Sequence, residues 1–353
     1  MSRRTLAALF VAAGVSRLRT PPSKQSRMHA TPGSPAFAAR GWLEAAALVV
    51  AIGALTVAYA VGHAYGGHPI AFILYAMIAA ATLALAITGL ASDTLAIVLH
   101  PASWIIGLAI ILIEVFYYLT LTYVPPAHGN LMMRVSVPIA MLAGWTLLGR
   151  RPPRLAIAGG ILMIAASAYV VAMTPADVRW PMAGAAVLGS TFMAVRGFVS
   201  EFHAWNRAAK SVRERLRVTG TVVLVTSLLS LALTAAASLL LPDLAFIPTI
   251  DQMLHLPTLL IGGGVGGAIL TLMMYLNFSS VVKITTENVT AMMAFSPLTS
   301  WAFQEIAVAS GLIVADRPAP RLVATMFAFI ACVLLIFWAG SRARVGANAR
   351  AAA

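Results

Sequence analysis

From about residue 41 to residue 340 the chain is a succession of long apolar runs separated by short polar breaks. The runs fall near 43–62, 69–90, 103–124, 131–149, 155–173, 181–201, 219–241, 256–277, 285–305 and 321–340. About 20 apolar residues are needed to carry a helix across the hydrocarbon of a bilayer, and most of these runs have that length. Lipid offers no hydrogen-bond partner to an open strand edge, so each run is expected to be helical. The pattern therefore predicts an all-α membrane protein of ten transmembrane helices.

Composition sharpens this expectation. Of 353 residues, 60% are hydrophobic and only 10% charged, and mean hydropathy is +0.89. A soluble domain carries about 25% charged residues, so most of this surface does not face water. The net charge of +13 could suggest nucleic acid. However, the basic residues sit in the breaks, where orientation in a membrane accounts for them, and no nucleic-acid partner is expected. With the N-terminus inside, 19 of the 24 Lys and Arg fall on the cytoplasmic side. Only Arg179, Arg317 and Arg321 fall outside, while Arg134 and Arg196 lie within runs. Such asymmetry is the signature of an inner (plasma) membrane protein with both termini cytoplasmic. One cysteine, Cys332, excludes a disulfide framework and a cysteine-based metal site within one chain.

Residues 1–40 are rich in Arg, Ser and Pro, and their apolar stretch Leu6 to Val15 is too short to span. Ser16-Arg17-Leu18-Arg19 argues against a cleaved signal, so the expectation is a disordered cytoplasmic tail, or a start at Met28. Residues 341–353 form a second cytoplasmic tail.

The two halves echo each other. Tyr118-Leu119-Thr120 is followed by Met132-Met133-Arg134-Val135-Ser136-Val137-Pro138, and Tyr275-Leu276-Asn277 by Met292-Met293-Ala294-Phe295-Ser296-Pro297. An odd number of spans per half turns the second half upside down. The expected domains are two inverted five-helix repeats, residues 41–173 and 174–340, with a substrate site where they meet.

On these features the chain resembles the drug/metabolite transporter superfamily, EamA-type. The resemblance covers roughly residues 41–340 and rests on order and spacing: a Tyr-rich third span, a fourth span following almost at once with Ser-x-Pro, a Gly-Arg-Arg turn and a Gly-Gly-containing fifth span. Family members usually carry Gly-Glu where this chain has Gly149-Arg150-Arg151, and the stretch from Glu305 to Pro320 is longer than usual. The resemblance implies a monomeric or homodimeric transporter of a small molecule, with no cofactor. Its central cavity would be lined by spans one, three, four, six, eight and nine.

Glu114 is the leading candidate for chemistry. An ionised group halfway along a span costs at least about 2.5–3.5 kcal/mol, so it must face a cavity, find a partner or be protonated. Tyr117 and Tyr118 follow at i+3 and i+4 on the same face, which suits a polar ligand or a proton relay. A protonated glutamate bonded within the bundle is the alternative. Arg134, near the outer end of its span, and Arg196, near the inner end of its own, are expected to snorkel to the interface. An anion contact is their functional alternative. Tyr275, Asn277, Glu287 and Asn288 complete the substrate-binding or proton-coupling candidates, although Thr285-Thr286-Glu287 is foremost a capping composition. Pro138 and Pro297 interrupt spans four and nine at matching places and are candidate hinges.

Gly262-Gly263-Gly264-Val265-Gly266-Gly267 fits GxGxxG, but it lies inside an apolar run with no preceding strand. Gly262/Gly266 and Gly263/Gly267 are instead expected as small-residue helix contacts. The histidines, His63, His68, His100 and His128 among them, show no metal-site spacing. The absence of HExxH, GxSxG, clustered Asp and P-loop motifs argues against an enzyme or an ATP-driven pump. A membrane scaffold or lipid-interacting protein is the other reading, but it needs neither Glu114 nor a repeat.

Reporter fusions test the orientation. A fusion after Ser341 is expected to report the cytoplasm and one within Gly62–His68 the outside; an outside signal at the C-terminus would refute the map.

Overall fold

The computed structural model describes residues 35–121, 124, 126–241, 244, 247–314 and 318–352; for residues 118, 121, 126 and 340–352 the description is of backbone only. Among the described residues the chain is helical and contains no strand. The principal helices are α1 (Pro35–Ala64), α2 (Pro69–Thr88), α3 (Pro101–Leu121) and α4 (Pro126–Met132 and Ser136–Leu148, joined by a 3₁₀ turn, Met133–Val135). They continue with α5 (Arg154–Met173), α6 (Ala176–Phe202), α7 (Val212–Leu240) and α8 (Leu256–Ile284). A broken helix α9 (Thr286–Met292 and Ser296–Ala309, joined by the 3₁₀ turn Met293–Phe295) precedes α10 (Pro320–Ala352). Eight helical segments are long and apolar enough to cross a membrane; α3 contributes a shorter apolar stretch, Pro101–Tyr117. Large apolar side chains such as Leu142, Ile161, Leu162, Leu229 and Leu233 stand exposed on the outside of the bundle. The protein is a multi-pass membrane protein whose outer surface is built for lipid.

Helix boundaries depart from the hydropathy map where local capping outweighs hydrophobicity. The helix expected to start at 219 starts at Val212, because Ser211 and Glu214 form a capping box that satisfies the free N–H groups of a polar first turn. The break expected over 124–130 is shorter, since residues from Pro126 onward are already helical. Residues 35–40, assigned from sequence to a disordered tail, belong to α1, whereas residues 1–34 lie outside the described part. Likewise, α10 runs on through the stretch expected as a C-terminal tail. The turn after α4 forms at Gly149, whose φ of 69° is left-handed; Gly149 N–H and Arg150 N–H close it onto Trp145 and Gly144.

The most extensive packing pairs α1 with α8, α2 with α8, α3 with α6, α1 with α9 and α2 with α7, and α5 with α10 and α4 with α9 also pack together. The largest core cluster joins α1, α2, α3 and α8 around Leu48, Phe72, Met77, Ile106 and Phe278. Helix α8 opens with one π-helical stretch, Leu259–Gly266, seated on Phe72. A Cβ on Gly262 would come within 2.9 Å of the Phe72 carbonyl oxygen, and one on Gly266 within 3.1 Å of its ring, whereas Gly263 faces open space. Of the two expected glycine pairs, only Gly262/Gly266 packs at both positions.

At one end of the bundle His203 joins α6 to the short helix Ala204–Ala208. Its ring is fully buried between His100 and Trp205, with Nε2 3.1 Å from the Ser103 hydroxyl. Burial, with a smaller contribution from His100, lowers its pKa from 6.5 to about 4. The folded state therefore binds this proton more weakly than the unfolded chain does. The resulting stability is present above pH 6.5 and is lost as pH falls towards 4. Thermal unfolding in detergent is expected to show a loss of up to about 3 kcal/mol across that window. His203→Gln should flatten this fall, and an equally steep fall in the variant would show that other groups cause it.

Candidate functional site

Six helices, α1, α3, α4, α6, α8 and α9, line a partly open pocket. Its wall is largely apolar, with Ile52, Leu55 and Ile113 beside the four methionines Met133, Met193, Met273 and Met293. Its polar groups are Thr56 and Tyr59 of α1, Glu114 and Tyr117 of α3, Asn130 and Arg134 of α4, and Arg196 of α6.

The sequence explains how these groups converge. Thr56 and Tyr59 are one turn apart on α1, as are Glu114 and Tyr117 on α3, so each pair shares a face. The two faces meet through hydrogen bonds. Tyr59 donates to Glu114 Oε2 at 2.8 Å, and Tyr117 donates to Thr56 Oγ1 at 3.0 Å. Asn130 and Arg134, one turn apart on α4, form the second unit. Arg134 donates to the Asn130 carbonyl (2.9 Å), to Asn130 Oδ1 (3.0 Å) and to the Met293 carbonyl (2.7 Å). Asn130 Nδ2 donates to Thr56 and Ser300, and Oδ1 also accepts from Ser296. One amide thus ties α1, α4 and α9 together.

The 3₁₀ turns lie here as well. Met133–Val135 and Met293–Phe295 interrupt α4 and α9 directly before Ser136 and Ser296. Within each turn a backbone N–H, that of Ser136 or of Ser296, bonds the Met133 or the Met293 carbonyl, and each carbonyl takes a second bond from a side chain. Ser190 of α6 donates to the Met133 carbonyl at 2.9 Å, and Arg134 to the Met293 carbonyl. Pro138 follows the first turn at half-buried depth, and Pro297 opens the helical segment after the second.

Both arginines depart from the expectation that they snorkel to an interface. Arg134 is 1% exposed and Arg196 6% exposed, and both line the pocket. The reason is that the six-helix arrangement supplies a polar interior at their depth, so the side chains turn inward. Each nitrogen of the Arg134 guanidinium has a backbone or amide oxygen as partner. Arg196 differs: its buried Nε has no partner, and Glu114, the nearest carboxylate, is within electrostatic reach but not in an ion pair with it.

The remaining candidates lie elsewhere. The Tyr118 side chain is outside the described residues. Tyr275 is half-buried beside Arg40 and Arg215 at the end of the bundle. Asn277 is buried outside the pocket. Asn288 donates to the Ile284 carbonyl at 2.6 Å, a local turn contact. Glu287 belongs to an ion cluster in which Arg150 bonds both Glu287 (2.9 Å) and Glu201. Burial acts to lower the Arg150 pKa, but bonds and charges from Glu201 and Glu287 leave it above its ordinary value. The expected cap at Thr285 takes a different form. Thr285 has a φ of 72° and no side-chain cap bond; Glu201, from α6, accepts from the Thr286 N–H (2.9 Å) and hydroxyl (2.8 Å) instead. A second cluster at this end pairs Lys283 of α8 with Glu44 of α1, which Arg40 also contacts at 3.1 Å.

Sequence reasoning missed Thr56, Tyr59 and Asn130. Tyr59 and Thr56 give a faint signal, a polar pair on one face of an otherwise apolar span. Asn130 stood in what reads as a loop, and only its position one turn before Arg134 hints at a role. Among the described residues no group of His, Cys, Asp and Glu could hold a metal ion.

No protein-family model matches the chain, and no curated protein matches it. Among solved structures, the crystal structure of one protein is similar, with a TM-score of 0.55 and 18% identity over 84% of this chain and 97% of that one. At that identity the likeness is one of fold alone.

Asn130→Ala would break four buried side-chain hydrogen bonds, to Thr56, Arg134, Ser296 and Ser300. The variant is expected to lose about 1.5–3 kcal/mol of stability, read as a lower unfolding midpoint in detergent; an unchanged midpoint would remove Asn130 from its place at the centre of the network.

Proposed function

We propose that this protein is a secondary transporter of a small metabolite, of the drug/metabolite transporter kind, working by alternating access between two inverted five-helix repeats in the inner membrane. The observation that carries the reading is the pocket: a largely apolar, charged chamber built where both halves meet, inside a bundle with a lipid-facing surface. It draws on the six helices that such an architecture would place around its centre. A scaffold has no use for a buried carboxylate and two guanidiniums, each costly in the membrane interior. The reading assigns no catalysis.

The packing supports the repeat. Exchanging the halves turns the α1–α8 pair into α6–α3, and leaves α2–α7, α4–α9 and α5–α10 as they are. The two 3₁₀ turns fall at the same spacing from Met132-Met133 and Met292-Met293. Paired breaks of this kind allow segments on either side of a site to tilt separately. In the proposed orientation the Arg150 and Lys283 clusters close the cytoplasmic end, since both join one half to the other.

Glu114 is the group best placed to couple transport to a proton. The charged and titratable groups around it are Tyr59, Tyr117, Arg134 and Arg196. In proteoliposomes loaded with a pH-sensitive dye, added solutes are expected to drive a proton flux that responds to an imposed pH gradient. Glu114→Gln should reach the membrane folded and lose roughly tenfold or more of this flux, as removal of about 1.4 kcal/mol or more of interaction implies. Solute movement that is the same in the variant would end the role of Glu114, and the absence of solute movement in the wild type would end the transporter reading.

A further inference from the structure

We infer that the pocket binds a singly charged organic anion, a monocarboxylate with an apolar body, whose carboxylate sits on the Arg196 guanidinium. The inference deepens the transporter reading and rests on it for the pocket's role as the substrate site.

The argument is one of charge and partners. The pocket holds two guanidiniums, Arg134 and Arg196, and one carboxylate, Glu114. With all three ionised, one positive charge is uncompensated among these buried groups. A buried charge without a partner is strongly disfavoured, and the group that lacks one here can be identified. Arg134 gives its donors to the Asn130 and Met293 carbonyls and to Asn130 Oδ1. Glu114 accepts from Tyr59. Arg196 is 6% exposed, its Nε has no hydrogen-bond partner, and no described residue forms an ion pair with it. A planar guanidinium with a free edge matches a carboxylate through two parallel hydrogen bonds.

The charge count selects the valence. One negative charge brings the pocket to neutrality, whereas a phosphate dianion would leave it negative beside Glu114. An ammonium ligand would add to the existing excess and meet Arg196 directly. The wall sets the rest of the molecule. Beyond the polar cluster the lining is Ile, Leu and four methionines, and methionine side chains adapt to irregular apolar shapes. The ligand therefore has a charged head and a small apolar body.

The test uses the purified full chain in detergent, with sodium phenylpropionate and hexanoate as probes. Phenylpropionamide, phenylpropylamine, inorganic phosphate and sodium chloride serve as comparisons, and binding is read by thermal shift and titration calorimetry. The carboxylates are expected to raise the unfolding midpoint and to bind at least tenfold more tightly than the amide or the amine. Arg196→Gln should weaken carboxylate binding at least tenfold; Arg196→Lys should restore part of it, and Arg154→Gln, outside the pocket, should leave it unchanged. Glu114→Gln should tighten carboxylate binding severalfold, because it removes the competing negative charge, and this arm stands even if Arg196→Gln fails to fold. Equal binding of amide or amine, tighter binding of phosphate, or weaker carboxylate binding in Glu114→Gln would each overturn the inference. Carboxylate binding without solute flux in vesicles would uphold the site and sink the transporter reading. Flux that shows no preference for anions would do the reverse.

Discussion

Hydrocarbon gives nothing back to a polar group. A guanidinium inside this bundle must find its partner within the protein, and the Asn130–Arg134 unit is where that requirement is met. Arg134 adds a second bond to the Met293 carbonyl in the turn of α9, Ser190 adds one to the Met133 carbonyl in the turn of α4, and Asn130 bonds Thr56 of α1 and Ser296 and Ser300 of α9. The cost of a polar group left unpaired is several kcal/mol in such surroundings. Each broken helix is thus tied across the bundle at its turn. The arrangement fixes the distance between α4 and α9 and so the shape of the chamber between them.

The same requirement separates the two arginines. Both are buried to a similar depth, yet one is enclosed by oxygen acceptors and the other is not. Arg134 is a structural member, holding backbone in place. Arg196 lines the chamber with its buried Nε unpaired.

Much of the frame could be read in the sequence, because lipid imposes a simple rule on long segments. Hydrophobic runs located the helices, although the ends of α1, α7, α8 and α10 extend seven or more residues beyond the expected runs. The errors arose at ends, as at Ser211 and Pro126, where a cap or a proline governs instead of hydropathy. Within the site, Glu114 and Tyr117 were legible because their relation is local, one helical turn. Thr56, Tyr59 and Asn130 were not, since their roles depend on which helix lies opposite. Arg196 was misread for a related reason: its depth along the helix permits snorkelling, and only the neighbouring helices decide that it turns inward. The cap on α9 shows the same limit, for Glu201 reaches it from another helix altogether.

The two ion clusters at one end of the bundle are unlike in their access to water. Arg150 keeps a third of its side chain exposed, at 33%, while Lys283 keeps 3%. When Arg150 lets go of Glu201 and Glu287, solvent can take the place of each partner at little expense. Lys283 is shielded and also donates to Ser279, while Glu44 keeps the exposed Arg40 as a second partner. The two fastenings therefore differ in how readily water can replace a partner. Arg150 does not act alone in joining α6 to α9: Glu201 also holds the Thr286 N–H and hydroxyl, so the junction would stay bonded after the guanidinium had let go.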